Sequence, residues 1–370
     1  MNSRWSGRAL ITAFLDSRAD SSLGAALKSD ADWENLIAAA ADEYVLPGLR
    51  CRLAEIGIAI PPRIEEFLAA VQEMNQERNE QILDEARAIA ESLNALGIEP
   101  AFLKGAAYLV EGIYPVSGRY LCDLDLLIPE SRLSEAAAAL ETEGYQPDTS
   151  DEMATFRHHY PQLQRPRAAD GAGSAPVELH RWFGHGVTRR LLSADEVLRD
   201  SRLIEWRGVR IRIPSPEHLV THLILHSQLH HCYSERVWPP VRAMRDLVLM
   251  ARHFAGRIDW DAVSDRFRSQ GHEASLQLHL LQTFRTFGLE CPMPIRPRGT
   301  VRLRLFRRWL LHYQPGLRFI DPVYLASSAL SRRLQFLRSI SAVPGGMQQA
   351  ARMLMRRGFY RRLFAEVSLR

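Results

Sequence analysis

Asp123 and Asp125 stand two positions apart in the apolar run R-Y-L-C-D-L-D-L-L-I, residues 119–128. Alternating with Leu124 and Leu126, they read as two carboxylates on one face of a strand running from Tyr120 to Ile128. Carboxylates are seldom buried without a partner, and like charges this close repel. A divalent cation relieves both costs. Oxygen-only donors suit Mg2+ (or Mn2+) held jointly with substrate phosphates. Glu178, in the strand-like segment V-E-L-H-R-W at residues 177–182, is the candidate third carboxylate. Such a triad can hold metal and activate an attacking hydroxyl. The plain alternative is a pair of solvent-facing aspartates on an edge strand.

Upstream, Lys104 is one of only two lysines among 47 basic residues, and Gly105 follows it. Ala101 to Leu103 reads as a short strand and Gly105 to Glu111 as a helix. Backbone N–H groups at such a helix start can meet phosphate, and glycine lets the backbone come close. Arg119 offers a fork of donors to a triphosphate. Neither G-x-x-x-x-G-K-[ST] nor G-x-G-x-x-G occurs, which excludes a P-loop and a dinucleotide fingerprint.

Taken in order, L-K-G-A-A-Y-L, R-Y-L-C-D-L-D-L-L-I-P and V-E-L-H-R-W resemble an uncharacterised, Lys-Gly-containing branch of bacterial nucleotidyltransferases in the polymerase-beta-like superfamily. The resemblance spans roughly residues 64–290. It implies a small mixed sheet with a helix carrying the glycine motif, which Gly105 would start. It also implies that Asp123 and Asp125 bind a magnesium–nucleotide complex, that Glu178 completes the acidic triad, and that a nucleoside monophosphate passes to an acceptor with release of pyrophosphate. Lys104 and Arg119 match positions typical of this branch. Ala106 departs from the serine or glycine usual after the motif glycine, so a hydroxyl contact to phosphate is missing there.

His218, His222, His226 and His230 recur every four residues, with His231 alongside, so they run along one side of a helix. Four on one helix cannot wrap one ion, and H-E-x-x-H is absent, so hydrogen-bonding histidines are expected. The family's helical part often pairs a histidine with a later aspartate; His226 and Asp246 are the nearest matches and would line the cleft. His180, two residues beyond Glu178, shares its strand face and either orients an acidic group, contacts substrate or is structural. Trp182, Trp238 and Trp260 read as core anchors.

These residues need a scaffold of helices around a mixed α/β centre, an α+β class. Residues 1–62 read as helical, with Ser29 or Asp30 as a cap and Pro47-Gly48 as an interruption. A periodic helix from Ile64 to Leu96 buries Phe67, Val71, Met74, Ile82, Leu83, Ala86, Ile89, Ala90 and Leu93. The core is assigned to residues 63–213, a helical domain to 214–290 and an arginine-rich helical region to 291–370. Further strands are expected at Phe156–Leu163 and Val177–Trp182, and helices at Ser134–Glu143, 214–231, 238–253 and 272–287.

The net charge of +4 conceals an asymmetry: the last 80 residues hold 16 arginines against two acidic groups. That tail makes nucleic acid the alternative partner, although packing against the acidic remainder explains it equally. Four dispersed cysteines form no disulfide framework or zinc pattern, and neither a secretion signal nor a membrane span is expected, so the compartment is cytoplasmic. The expected partners are a nucleoside triphosphate, ATP foremost, and an acceptor that is a small molecule, a saccharide or a protein. A catalytically weak nucleotide-binding scaffold is the other alternative.

Overall fold

The computed structural model describes residues 7–148, 158–166, 175–184, 186–230 and 240–313. Three short helices come first: α1 (Gly7–Leu15), α2 (Asp30–Asp42) and α3 (Leu49–Glu55). Ser29 caps α2 through a reciprocal box with Asp32. Pro62 then starts the 34-residue helix α4 (Pro62–Ala95), where its missing N–H costs nothing.

The carboxy-terminal half of α4 buries the residues its period indicates. The other half is turned by one position. Phe67 and Met74 are 45% and 68% exposed, whereas Leu68, Asn75 and Asn79 are buried. Two buried asparagines displace the apolar choices because their amides have work to do on a neighbouring loop.

Seven strands form one mixed sheet in the order β3-β4-β5-β2-β1-β7-β6. They are β1 (Ala101–Phe102), β2 (Leu124–Leu127), β3 (Gln146–Pro147), β4 (Leu163–Gln164), β5 (Val177–His180), β6 (Arg202–Trp206) and β7 (Val209–Ile213). The pairs β2–β5 and β1–β7 are parallel and the rest antiparallel. Between them lie α5 (Lys104–Val110), α6 (Leu133–Thr142), α7 (Val187–Leu191) and α8 (Ala194–Asp200). Helices α9 (Pro216–Leu225), α10 (Val241–His253), α11 (Trp260–Ser269), α12 (Glu273–Thr286) and α13 (Gly299–Tyr313) follow. The fold is α+β.

Several local expectations change. The strand expected from Tyr120 begins only at Leu124, because residues before it are pinned as a loop by α4. The strand expected at Phe156–Leu163 begins only at Leu163 among the described residues, preceded by an isolated bridge from His159 to His180. The β6–β7 hairpin was not anticipated. Its two-residue turn, Arg207-Gly208, has φ values of +49° and +80°, and alternation in V-R-I-R-I buries Val209, Ile211 and Ile213. The histidine row is broken: α9 ends at Leu225 and a π-helical turn, His226–His230, replaces the next α-turn. Trp260 packs partly buried against the core, but Trp182 has the guanidinium groups of Arg181 and Arg189 at 4.4 and 3.8 Å from its ring centroid. His231, Trp238 and the basic tail beyond Tyr313 lie outside the described residues. Among the described residues, no helix is long and apolar enough to cross a membrane.

One apolar core runs from Ile82 of α4 through the sheet to Phe284 of α12. A second joins α1–α3 to α10. Beside the first, His279 of α12 is fully buried, with Gln228 Nε2 2.8 Å from its Nδ1. Burial, aided by the charge of Arg308, pushes its pKa down to about 3. The unfolded chain therefore binds the extra proton below the ordinary value of 6.5, and stability falls as pH drops through that window. Between pH 7.5 and 5 the loss from this one group is roughly 2 kcal/mol, read as a lower urea midpoint. His279→Leu should flatten that part of the pH dependence; an unchanged slope would rule the histidine out as its source.

Candidate active site

The parallel β2–β5 pairing sets Asp125 directly opposite Glu178 and Leu127 opposite His180. Since facing residues of neighbouring strands share a sheet face, Asp125 and Glu178 lie side by side, with His180 two residues further along the same face. Asp125 is 2% exposed and is the centre of the cluster. Its Oδ1 accepts from Lys104 Nζ at 2.6 Å and lies 2.7 Å from His180 Nε2. That imidazole nitrogen is also 3.3 Å from Glu178 Oε2, whose Oε1 accepts from Gln162 at 3.3 Å.

Burial alone would raise the Asp125 carboxyl, but Lys104 and His180 hold it well below the usual carboxylate range. Burial likewise works against a charged His180, and its bonds to Asp125 and Glu178 override this and raise it. Asp123, just ahead of β2 and only partly buried by its neighbours, behaves oppositely. Burial first, then the adjacent Asp125 charge, pushes its pKa up to about 6.

Ligand atoms of Asp125, Glu178 and His180 all lie within 4.8 Å of one another. Two carboxylates and one imidazole, once the ring is neutral, are donor types that a divalent ion can take. Asp125 and Glu178 of the expected triad fall within this group together with His180, and Asp123 adjoins it just ahead of β2.

Lys104 opens α5 with a φ of +45°, left-handed backbone that a β-carbon disfavours. Gly105 comes next, and its role is steric. A β-carbon there would sit 2.3 Å from Arg119 Nη1 and 2.4 Å from Leu121 Cδ2. The glycine makes room for the arginine.

Arg119, expected to reach phosphate, instead places its fork on Asp246 of α10. Nε and Nη2 donate to the two carboxylate oxygens at 3.0 Å each, and Tyr114 donates to Oδ1 at 2.7 Å. Both charged groups are buried. Asp246, expected beside His226, thus has Arg119 and Tyr114 as hydrogen-bond partners. His226 instead has its ring 6.1 Å from that of His222, centroid to centroid.

What sequence reasoning missed is the clamp on the loop before Asp123. Asn79 Nδ2 donates to the carbonyls of Val116 and Arg119 at 2.6 and 2.7 Å, and Asn75 Nδ2 to Ser117 at 2.9 Å. Arg78 donates to the Leu121 carbonyl and lies 4.4 Å from the Tyr120 ring. The signal was present as N-x-x-x-N at helical spacing on an otherwise apolar face. Ala106 and Ala107 are buried in α5, so no hydroxyl follows Gly105.

The chain belongs to the family described as uncharacterised nucleotidyltransferase, whose model matches residues 29–288 and so takes in α2 and α3 as well as the sheet. No curated protein matches it. Similar solved structures include two of low identity. One is an antigenic nucleotidyltransferase-like protein from Paracoccidioides brasiliensis, 13% identical, with a TM-score of 0.33 over 55% of this chain and 90% of that one. The other is the antibiotic-resistance factor ANT(2'')-Ia, 15% identical, with a TM-score of 0.36 over 55% of this chain and 97% of that one.

Proposed function

We propose that this chain transfers a nucleoside monophosphate from a nucleoside triphosphate, ATP foremost, to a hydroxyl of a small-molecule, saccharide or protein acceptor. The bond from the acceptor oxygen to the α-phosphorus forms as the α–β bridge breaks. Pyrophosphate leaves with the electron pair, and the acceptor proton is taken up by a carboxylate of the cluster. The observation that carries this reading is the β2–β5 register that sets Asp125 beside Glu178.

Asp125, Glu178 and His180, with Asp123 adjacent, would hold Mg2+ or Mn2+, which when bound neutralises phosphate charge. Asp123 and Glu178 keep the cluster anionic enough to retain a cation. Lys104, at the start of α5, directs an ammonium toward the phosphates. Arg119 and Asp246 hold the loop that carries Tyr120 to Asp123, so they act by positioning. In this reading residues 63–213 carry the catalytic groups, 214–290 brace them, and the flanking regions 1–62 and 291–370 complete the chain. The free thiols of Cys51, Cys122 and Cys291 agree with a reducing, cytoplasmic setting.

The test is incubation of the full chain with each labelled nucleoside triphosphate and Mg2+ or Mn2+, following pyrophosphate and labelled product. Release that disappears in Asp123→Ala and Glu178→Ala is expected. Undiminished release in Asp123→Ala would sink the assignment, and nucleotide binding without release would indicate a scaffold, in keeping with Ala106.

A further inference from the structure

The acidic cluster already contains a cation. Lys104 Nζ is 2.6 Å from Asp125 Oδ1; burial works against a charged ammonium there, and Asp125 first, then Asp123 and Glu178, override it. Two of these carboxylates, Asp125 and Glu178, belong with His180 to the group whose ligand atoms converge, and Asp123 stands beside it. Asp125, the most buried of them, is shared between Lys104 and His180 on a single oxygen.

The backbone adds a second observation. The φ of +45° at Lys104 is strained for any residue with a β-carbon, and a glycine would relieve it. The chain keeps a long cationic side chain there, although arginine outnumbers lysine heavily elsewhere in the sequence. A flexible stem ending in a compact charge can leave one anion for another more readily than a planar guanidinium fork. Strain of this kind persists where the surrounding structure needs that side chain in that place.

We propose that Lys104 is the resident counter-ion of the carboxylate cluster and excludes a divalent metal until the phosphates of a bound nucleotide draw the ammonium away. Resting on the nucleotidyltransferase reading, this makes metal and nucleotide binding cooperative through one side chain. Without nucleotide, the ammonium and the metal compete for the same carboxylate charge, so each weakens the other. With nucleotide, the ammonium moves to phosphate oxygen and Asp125 becomes available. Lys104 is then a positioning residue toward the metal and a ligand toward the phosphate.

The experiment measures Mn2+ binding alone, by the loss of the free-ion electron paramagnetic resonance signal, on the full chain without nucleotide. Lys104→Met and Lys104→Gln should each bind Mn2+ about tenfold or more tightly than wild type, the scale of a close charge pair. Lys104→Arg, which keeps the charge, should stay within about threefold of wild type. Adding a non-hydrolysable ATP analogue should raise Mn2+ affinity more in wild type than in Lys104→Met. Circular dichroism checks folding, and the Gln variant covers the case in which Met alone disturbs the site. Equal or weaker Mn2+ binding by the neutral variants overturns the proposal. That outcome is separate from failure of the functional reading, which would appear as no pyrophosphate release by wild type.

Discussion

Asp125→Asn should reduce nucleotide turnover by about a thousandfold or more while the chain still folds. That scale follows from the several kcal/mol that a metal-held charge contributes in phosphoryl transfer, about three powers of ten. Asparagine preserves the shape of the side chain and removes its charge, so what is lost is the attraction that gathers Lys104, His180 and a divalent ion. Asp125 is the acceptor those groups share, which is why its removal should exceed the effect of losing Gln162 or any peripheral group. The readouts are pyrophosphate release and Mn2+ binding, with circular dichroism to establish that the sheet persists. An Asp125→Asn protein within tenfold of wild-type turnover would show that the chemistry lies elsewhere.

The second large effect is on stability. Asp246→Asn leaves Arg119 charged, buried and without its counter-charge, and breaking a buried pair in this way costs about 3–5 kcal/mol. A lower urea midpoint is expected, together with reduced turnover, because Arg119 belongs to the loop leading into Asp123. Gly105→Ala should act on the same pair from its other side, since its β-carbon occupies the space of Arg119 Nη1. Replacing both partners, as Arg119→Met with Asp246→Leu, should recover much of the midpoint without restoring activity. An Asp246→Asn chain that unfolds at the wild-type midpoint would mean that the pair contributes little.

The two predictions differ in how visible their residues are in the sequence. Asp123, Asp125 and Glu178 stand out because a charge inside an apolar strand needs a reason, and strand alternation tells which charges share a face. The arginine–aspartate pair does not. Its members are 127 positions apart, and an arginine near an acidic motif looks the same whether it reaches phosphate or a distant helix. His180 is legible as a neighbour of Glu178 on one strand face, able to orient an acidic group, but that the group is Asp125 follows only from the parallel register. Asn75 and Asn79 are hidden differently: on a helix face otherwise rich in leucine and alanine they look like lapses in the pattern, and the apolar period runs through Met74 instead. The β6–β7 hairpin is legible in V-R-I-R-I and Arg207-Gly208. Short alternating runs with arginine outward are easily passed over in a chain this rich in arginine.

Helix α10 has two apolar faces. Val241, Met244 and Val248 join the amino-terminal helices, while Ala243, Leu247 and Met250 join the larger core that includes the sheet, and Asp246 reaches Arg119. Cutting the chain at Pro61-Pro62, where composition alone would divide it, would therefore not release a smaller working enzyme. It should strip one side of the helix whose Asp246 holds Arg119 of the loop before Asp123 and leave a sticky surface in its place. The residues ahead of that cut function as part of the foundation, and a shortened chain should be judged first by whether it stays in solution.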